Sequence, residues 1–137
     1  MAKLKLDSDP DPDVHLIAIS SHVNDYRLCW SLNNSLGIVM ERRRRDMEGQ
    51  GPEQQAYFSA FDHTEEPTQA NFTLVSNHAP EGVLLIDQRQ ADYFLVVDRE
   101  SLMRPLDLLD RVRQADFVLA AFNLDIRNLK GAYKLLQ

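Results

Sequence analysis

Cysteine is almost missing from this sequence: Cys29 stands alone among 137 residues. A single thiol excludes an internal disulfide framework and any cysteine-built zinc cage, and it suits a reducing cytosol. Glycine is scarce as well, and the five present do not assemble a GxGxxG or GxxxxGK phosphate loop. No apolar run approaches the roughly 18 residues of a membrane span, so no membrane association is expected. Met1–Asp13 is charged and broken by Pro10 and Pro12, without the apolar stretch of a secretory leader. Positive charge is in deficit, with 15 Lys and Arg against 21 Asp and Glu, a formal net of −6. Nucleic acid is therefore not an expected partner, because phosphate contacts need a positive face. A cytoplasmic location follows as the expectation.

What is present suffices for one core. Hydrophobic residues at 44% and charged residues at 26% fit a globular rather than a disordered chain. Residues 1–137 read as a single domain with an acidic, extended lead-in over 1–13, where Asp7, Asp9, Asp11 and Asp13 alternate. That ladder fails the calcium-loop pattern, whose Gly and Glu positions hold Pro12 and Ala18.

Val14–Ser20 is β-branched and apolar enough for a buried strand. Asn24 or Asp25 then caps a helix over Tyr26–Leu36, stopped by Gly37. Leu28, Cys29, Leu32 and Leu36 form its buried stripe. Tyr26, Trp30 and Asn33 border the stripe, and Arg27, Ser31 and Asn34 take the wet side. Ile38–Met47 reads as a strand leaving the core or lying at an edge, and Glu48–Glu53 as a loop. Ala56–Phe61 is an aromatic strand, Asp62–Gln69 a loop, Phe72–Ser76 a strand and Asn77–Gly82 a turn. Asp92–Asp98 is the clearest strand. A second helix starts between Ser101 and Arg104, with Pro105 in its first turn, and runs to Gln114. Leu102, Pro105, Leu106, Leu109 and Val112 form its apolar stripe. Phe117–Phe122 is a last strand, and Ile126–Leu136 a helical turn with a docked tail. Strands that follow one another without intervening helices imply an α+β fold. Its mainly antiparallel sheet of about six strands carries two principal helices packed on one face.

Catalytic constellations are missing. His15, His22, His63 and His78 stand at least seven positions apart, so no HxxxH pair exists. Only tertiary folding can bring His22 and His78 together. Cys29 falls on the buried helical stripe, where a thiol stays protonated and inert. Acid pairs such as Glu65/Glu66 and Asp87/Asp92 lack a nucleophile or base beside them. No enzymatic activity, cofactor or metal is expected. Arg42–Arg45 is the sharpest charge feature, readable as guanidinium donors toward RNA, a phosphate or an acidic partner protein, or as the charged guard of an edge strand. Trp30 with Tyr26 and Asn33 is readable as a recognition patch or as a cap on the core.

Ile19-Ser20-Ser21-His22, followed by Tyr26-Arg27-Leu28-Cys29-Trp30-Ser31-Leu32-Asn33, resembles the first helix region of the bacterial IPExxxVDY family. The stretch that aligns with the name motif is Leu85-Ile86-Asp87-Gln88-Arg89-Gln90-Ala91-Asp92-Tyr93, preceded by Asn77 and followed by Phe94-Leu95. Asp92 and Tyr93 agree with it and Asp87 replaces Glu conservatively, while Ile86 and Ala91 depart from Pro and Val. Ala121-Phe122, Leu124-Asp125 and Leu129-Lys130 are similar as well. The resemblance implies a small cytosolic bacterial protein and brings no activity with it.

Two functional expectations follow. The first is a non-enzymatic α+β domain that acts through protein interaction or regulation, with an unidentified protein or a second copy as partner. Its candidate contacts are Tyr26, Arg27, Trp30, Asn33, Asn34, Arg42 and Arg44. The second is a metabolite-binding module with a pocket between the first helix and the sheet, where Arg27, Asn33, Asn34 or His22 supply polar contacts.

Overall fold

The structure, a computed structural model, describes residues 13–66 and 68–137. Apart from Asp13, the acidic lead-in lies outside the described residues. Val14–Ser20 forms β1 and Asp25–Leu36 forms α1. Asn24 caps the helix by accepting the Arg27 N–H at 3.0 Å. Gly37 ends it at φ 70°, a backbone conformation that favours glycine, and donates to the Asn33 carbonyl at 2.8 Å. Then come β2 (Glu41–Arg42), β3 (Met47–Gln50), β4 (Gln55–Phe58), β5 (Ala60–Thr64) and β6 (Asn71–Ser76). They are followed by β7 (His78–Ala79), β8 (Gly82–Val83), β9 (Tyr93–Asp98), α2 (Pro105–Gln114) and β10 (Ala120–Leu124). Pro105 takes the first turn of α2, where its missing N–H costs nothing.

Six of these strands form one antiparallel sheet in the order β10-β1-β9-β6-β5-β2. Both helices pack on one face of it, the expected α+β arrangement. There Ile17, Ile19, Phe72, Leu74, Leu95 and Val97 meet Leu28, Leu32, Leu108 and Val112. The opposite face is covered too. Leu16, Val75, Phe94 and Val96 meet Met47, Phe58 and Leu84 of the two small hairpins and Leu135 of the C-terminal turn. Burial of each such side chain contributes about 1.5–3 kcal/mol before conformational entropy is set against it. Sandwiching also explains why β1 and β9 are apolar almost without interruption, since residues pointing either way enter a core.

Several expected boundaries move for that reason. Ala56–Phe61 is not one strand. It breaks at Ser59 into β4 and β5, sending Phe58 into one core and Phe61 into the other. β5 continues through Thr64, into the expected Asp62–Gln69 loop, and β3 occupies Met47–Gln50, within the expected Glu48–Glu53 loop. Only Glu41–Arg42 of the Ile38–Met47 stretch pairs as a strand within the main sheet, at its edge. On α2 the buried residues are Leu108, Leu109 and Val112, while Leu102 and Leu106 face water. Ser31, assigned to the wet side of α1, is buried because its hydroxyl donates to the Asp116 carbonyl at 2.6 Å. The last strand begins three residues later and ends two residues later than expected, at Ala120–Leu124.

Candidate functional site

Helical geometry sorts the expected contact residues of α1 onto three sides. At 100° per residue, Leu28, Leu32, Leu36 and Cys29 look into the core. Ser31 and Ser35 lie on the α2 flank, where the Ser35 hydroxyl donates to the Arg111 carbonyl at 2.5 Å. Asn33 lies on the other flank and is occupied structurally. Its Oδ1 accepts the Met40 N–H at 2.8 Å and its Nδ2 donates to the Met40 carbonyl at 3.2 Å. One amide thus holds the residues after the helix as a neighbouring strand would. Cys29 sits beside it, and burial pushes its thiol up to about 11, which keeps it protonated.

Tyr26, Arg27, Trp30 and Asn34 remain on the outer face. Tyr26 stands edge-on to Phe61 at 5.3 Å, and the Arg42 guanidinium lies over the same ring at 5.8 Å. Arg27 stacks over Phe117 at 4.6 Å. Trp30 is 61% exposed. The four arginines do not act as one patch. Arg42 pairs with Asp46 at 2.5 Å, a hydrogen bond that raises its pKa. Arg43 makes two bonds to Asp62 at 2.6 and 3.0 Å. Burial pushes the Asp62 carboxyl up, but hydrogen bonds from Arg43 and Thr73 outweigh that and hold it below the usual carboxylate value. Arg44 and Arg45 are exposed.

The space between α1 and the sheet is filled by Leu28, Leu32, Leu74 and Leu95, none of them exposed. The polar residues assigned to a pocket there do not converge: Arg27 covers Phe117, Asn33 holds Met40, and Asn34 and His22 face water. An open cleft of about 710 Å³ lies elsewhere, lined among others by Asp13, His15, Arg99, Asn123, Asp125 and Arg127. Its charges are matched within the chain, Arg99 with Asp13 at 3.2 Å and Arg127 with Asp125 at 3.0 Å. Burial and Arg99 keep His15 below its ordinary pKa. Among the described residues, no three His, Cys, Asp or Glu side chains gather as metal donors, and no helix is long and apolar enough to cross a membrane.

Asp92 and Tyr93 have structural work. The Asp92 carboxylate accepts the Ser21 N–H at 2.9 Å and the Tyr93 hydroxyl donates to the Val23 carbonyl at 2.8 Å, fixing the link from β1 to α1.

The side formed by β10 and α2 also exposes large apolar residues. β10 has β1 on one side and, among the described residues, no strand on the other. Phe122 is 57% exposed and Leu119 60%, and Leu106 of neighbouring α2 reaches 77%. The signal was available: Phe117-Val118-Leu119-Ala120-Ala121-Phe122 is the longest uninterrupted apolar run in the chain. Such a run, uncharged and without proline, is a strand-pairing hazard when it lies at an edge. The far edge is built differently, because β2 is two residues long and both are charged. No family model matches this chain, and no curated protein matches it either.

Proposed function

We propose that the chain is a non-catalytic protein-interaction domain that engages its partner through the side formed by β10 and α2. The observation that carries this reading is the asymmetry of the sheet: one edge is short and charged, while the other, β10, is entered by an apolar run whose Leu119 and Phe122 are exposed. Apolar surface of this kind, on an otherwise charged domain, is the usual mark of a contact site. The outer stripe of α1, with Tyr26, Arg27, Trp30 and Asn34, forms a second candidate surface, with Arg42 at its edge over the Phe61 ring. A cytoplasmic setting goes with the reading, supported by the lone buried thiol. So does membership of the IPExxxVDY family, supported by the Asp92–Tyr93 pair.

Light scattering on the purified chain, combined with capture from a bacterial lysate, tests the proposal. Phe122→Glu is expected to abolish the associations seen with the unaltered chain, and Trp30→Ala to keep them. Loss with Trp30→Ala alone moves the contact to α1. A chain that stays monomeric and captures nothing overturns the reading.

A further inference from the structure

We infer that the open edge of β10 pairs with β10 of a second copy, antiparallel about a two-fold axis at Phe122, joining two six-stranded sheets into one of twelve strands. This rests on the interaction reading above and names its partner. Hydrogen-bond directions determine which groups are on offer. The Leu119 N–H donates to the Ser20 carbonyl at 2.9 Å, so Ser20 turns its polar groups toward β10. Ala18 and Leu16, at alternate positions of β1, do the same. Their register partners are Ala120, Phe122 and Leu124. Ala121 and Asn123 therefore turn their N–H and C=O groups outward, and on that side Arg113 Nε reaches the Ala121 carbonyl at 3.0 Å.

Two outward residues flanking one central residue are what a two-fold axis requires. Ala121 faces Asn123 of the second copy, and Asn123 faces its Ala121, as hydrogen-bonded pairs. Phe122 faces Phe122 in the closer, non-hydrogen-bonded pair. Ala120 faces Leu124, small against large. The surroundings fit the same axis. Leu106 and Arg113 are seven positions apart and share one flank of α2, and Arg113 shows that this flank looks onto the outer edge of β10. A second copy seated there covers Leu106, the most exposed large apolar side chain described. Pairing also hands the Ala121 carbonyl, held within one copy by Arg113, to the Asn123 N–H of the second copy. One register thus matches donors with acceptors, Phe with Phe and small with large, twice over about the same axis.

Sedimentation velocity of the full chain over a range of concentrations is expected to show a reversible dimer. Asn123→Pro removes only an outward N–H, at a place where an edge strand tolerates proline, and should weaken the dimer at least about tenfold. Cysteine pairs read the register independently of that variant. Under mild oxidation Phe122→Cys should cross-link to itself, while Ala120→Cys and Leu124→Cys cross-link to each other in a mixture but not to themselves. A monomer at every concentration without Phe122→Cys cross-linking overturns the inference, as does a dimer whose cross-links follow another register. If that monomer still captures a different protein in a Phe122-dependent way, the inference falls while the interaction reading stands. If it captures nothing, both fall.

Discussion

Replacing Asn77 by alanine probes the layer that covers the second face of the sheet. Asn77 is fully buried. Its Nδ2 donates to the carbonyls of Gln88 and Ala91, each at 2.9 Å, and its Oδ1 accepts the Leu85 N–H at 2.8 Å. Residues 85–91 therefore wind around one side-chain amide. Alanine deletes all three bonds and strands the Ala91 carbonyl and the Leu85 N–H where water has little access, while the Gln88 carbonyl keeps the Ala91 N–H at 3.0 Å. At roughly 1–1.5 kcal/mol each, the loss is about 3–4.5 kcal/mol, which for a domain of this size lowers Tm by about 10–20 °C. Asn77→Asp separates chemistry from shape. It keeps the acceptor for Leu85 but sets a carboxylate against two carbonyls, so its folded pKa rises above the ordinary value of about 3.9. Relative to the unaltered chain, the cost is then fully present above that raised value and shrinks as pH falls through it toward the unfolded value. Urea unfolding of the three proteins at about pH 4.5 and about pH 7.5, followed by circular dichroism, measures both effects. An Asn77→Ala penalty under about 1 kcal/mol, or an Asn77→Asp penalty that ignores pH, would refute the reasoning.

Gly51→Ala should destabilise by about 2 kcal/mol or more in the same assay, because a Cβ there would stand 2.1 Å from the Glu81 carbonyl oxygen. Asp62→Asn should cost about 1 kcal/mol or less near neutrality, since the Arg43–Asp62 pair is partly exposed and screened. The folded carboxyl titrates below its unfolded value, so that difference is present above the unfolded pKa and disappears as pH falls through the folded one. Cys29, with its buried thiol pushed up to about 11, should react with an aromatic disulfide at mildly alkaline pH far more slowly in the native chain than in urea. Equal rates would contradict its burial.

Elements with their own local chemistry were legible from the residues alone. α1 announces itself through Asn24, the leucine stripe and Gly37, and Pro105 marks the first turn of α2. The antiparallel platform followed from strands succeeding one another. What was not legible depends on long-range packing. Two-sided burial hides the break at Ser59, because Phe58, Ala60 and Phe61 are all buried and no alternation remains to be read. The inward turn of Ser31 depends on the Asp116 carbonyl, 85 positions away. Of the expected contact residues, Tyr26, Arg27, Trp30 and Asn34 are outward as their helical angles require. Asn33 is turned inward by a backbone seven residues on, which no local pattern encodes.

Five of the large apolar residues that the fold exposes lie close together along the chain. Leu102, Leu106, Phe117, Leu119 and Phe122 all belong to one continuous stretch of chain, α2 with its flanks and β10. Leu102 and Leu106, which periodicity places on a buried stripe, are exposed instead, a mismatch expected where function makes a second demand on the sequence. The two sheet edges sharpen this. Selection against unwanted pairing is visible at β2, where charge and brevity blunt the strand, so the chain is not indifferent to open edges. An apolar β10 in the same molecule, guarded on its outer side by one guanidinium at the Ala121 carbonyl, is then best explained as an edge kept available for a specific contact.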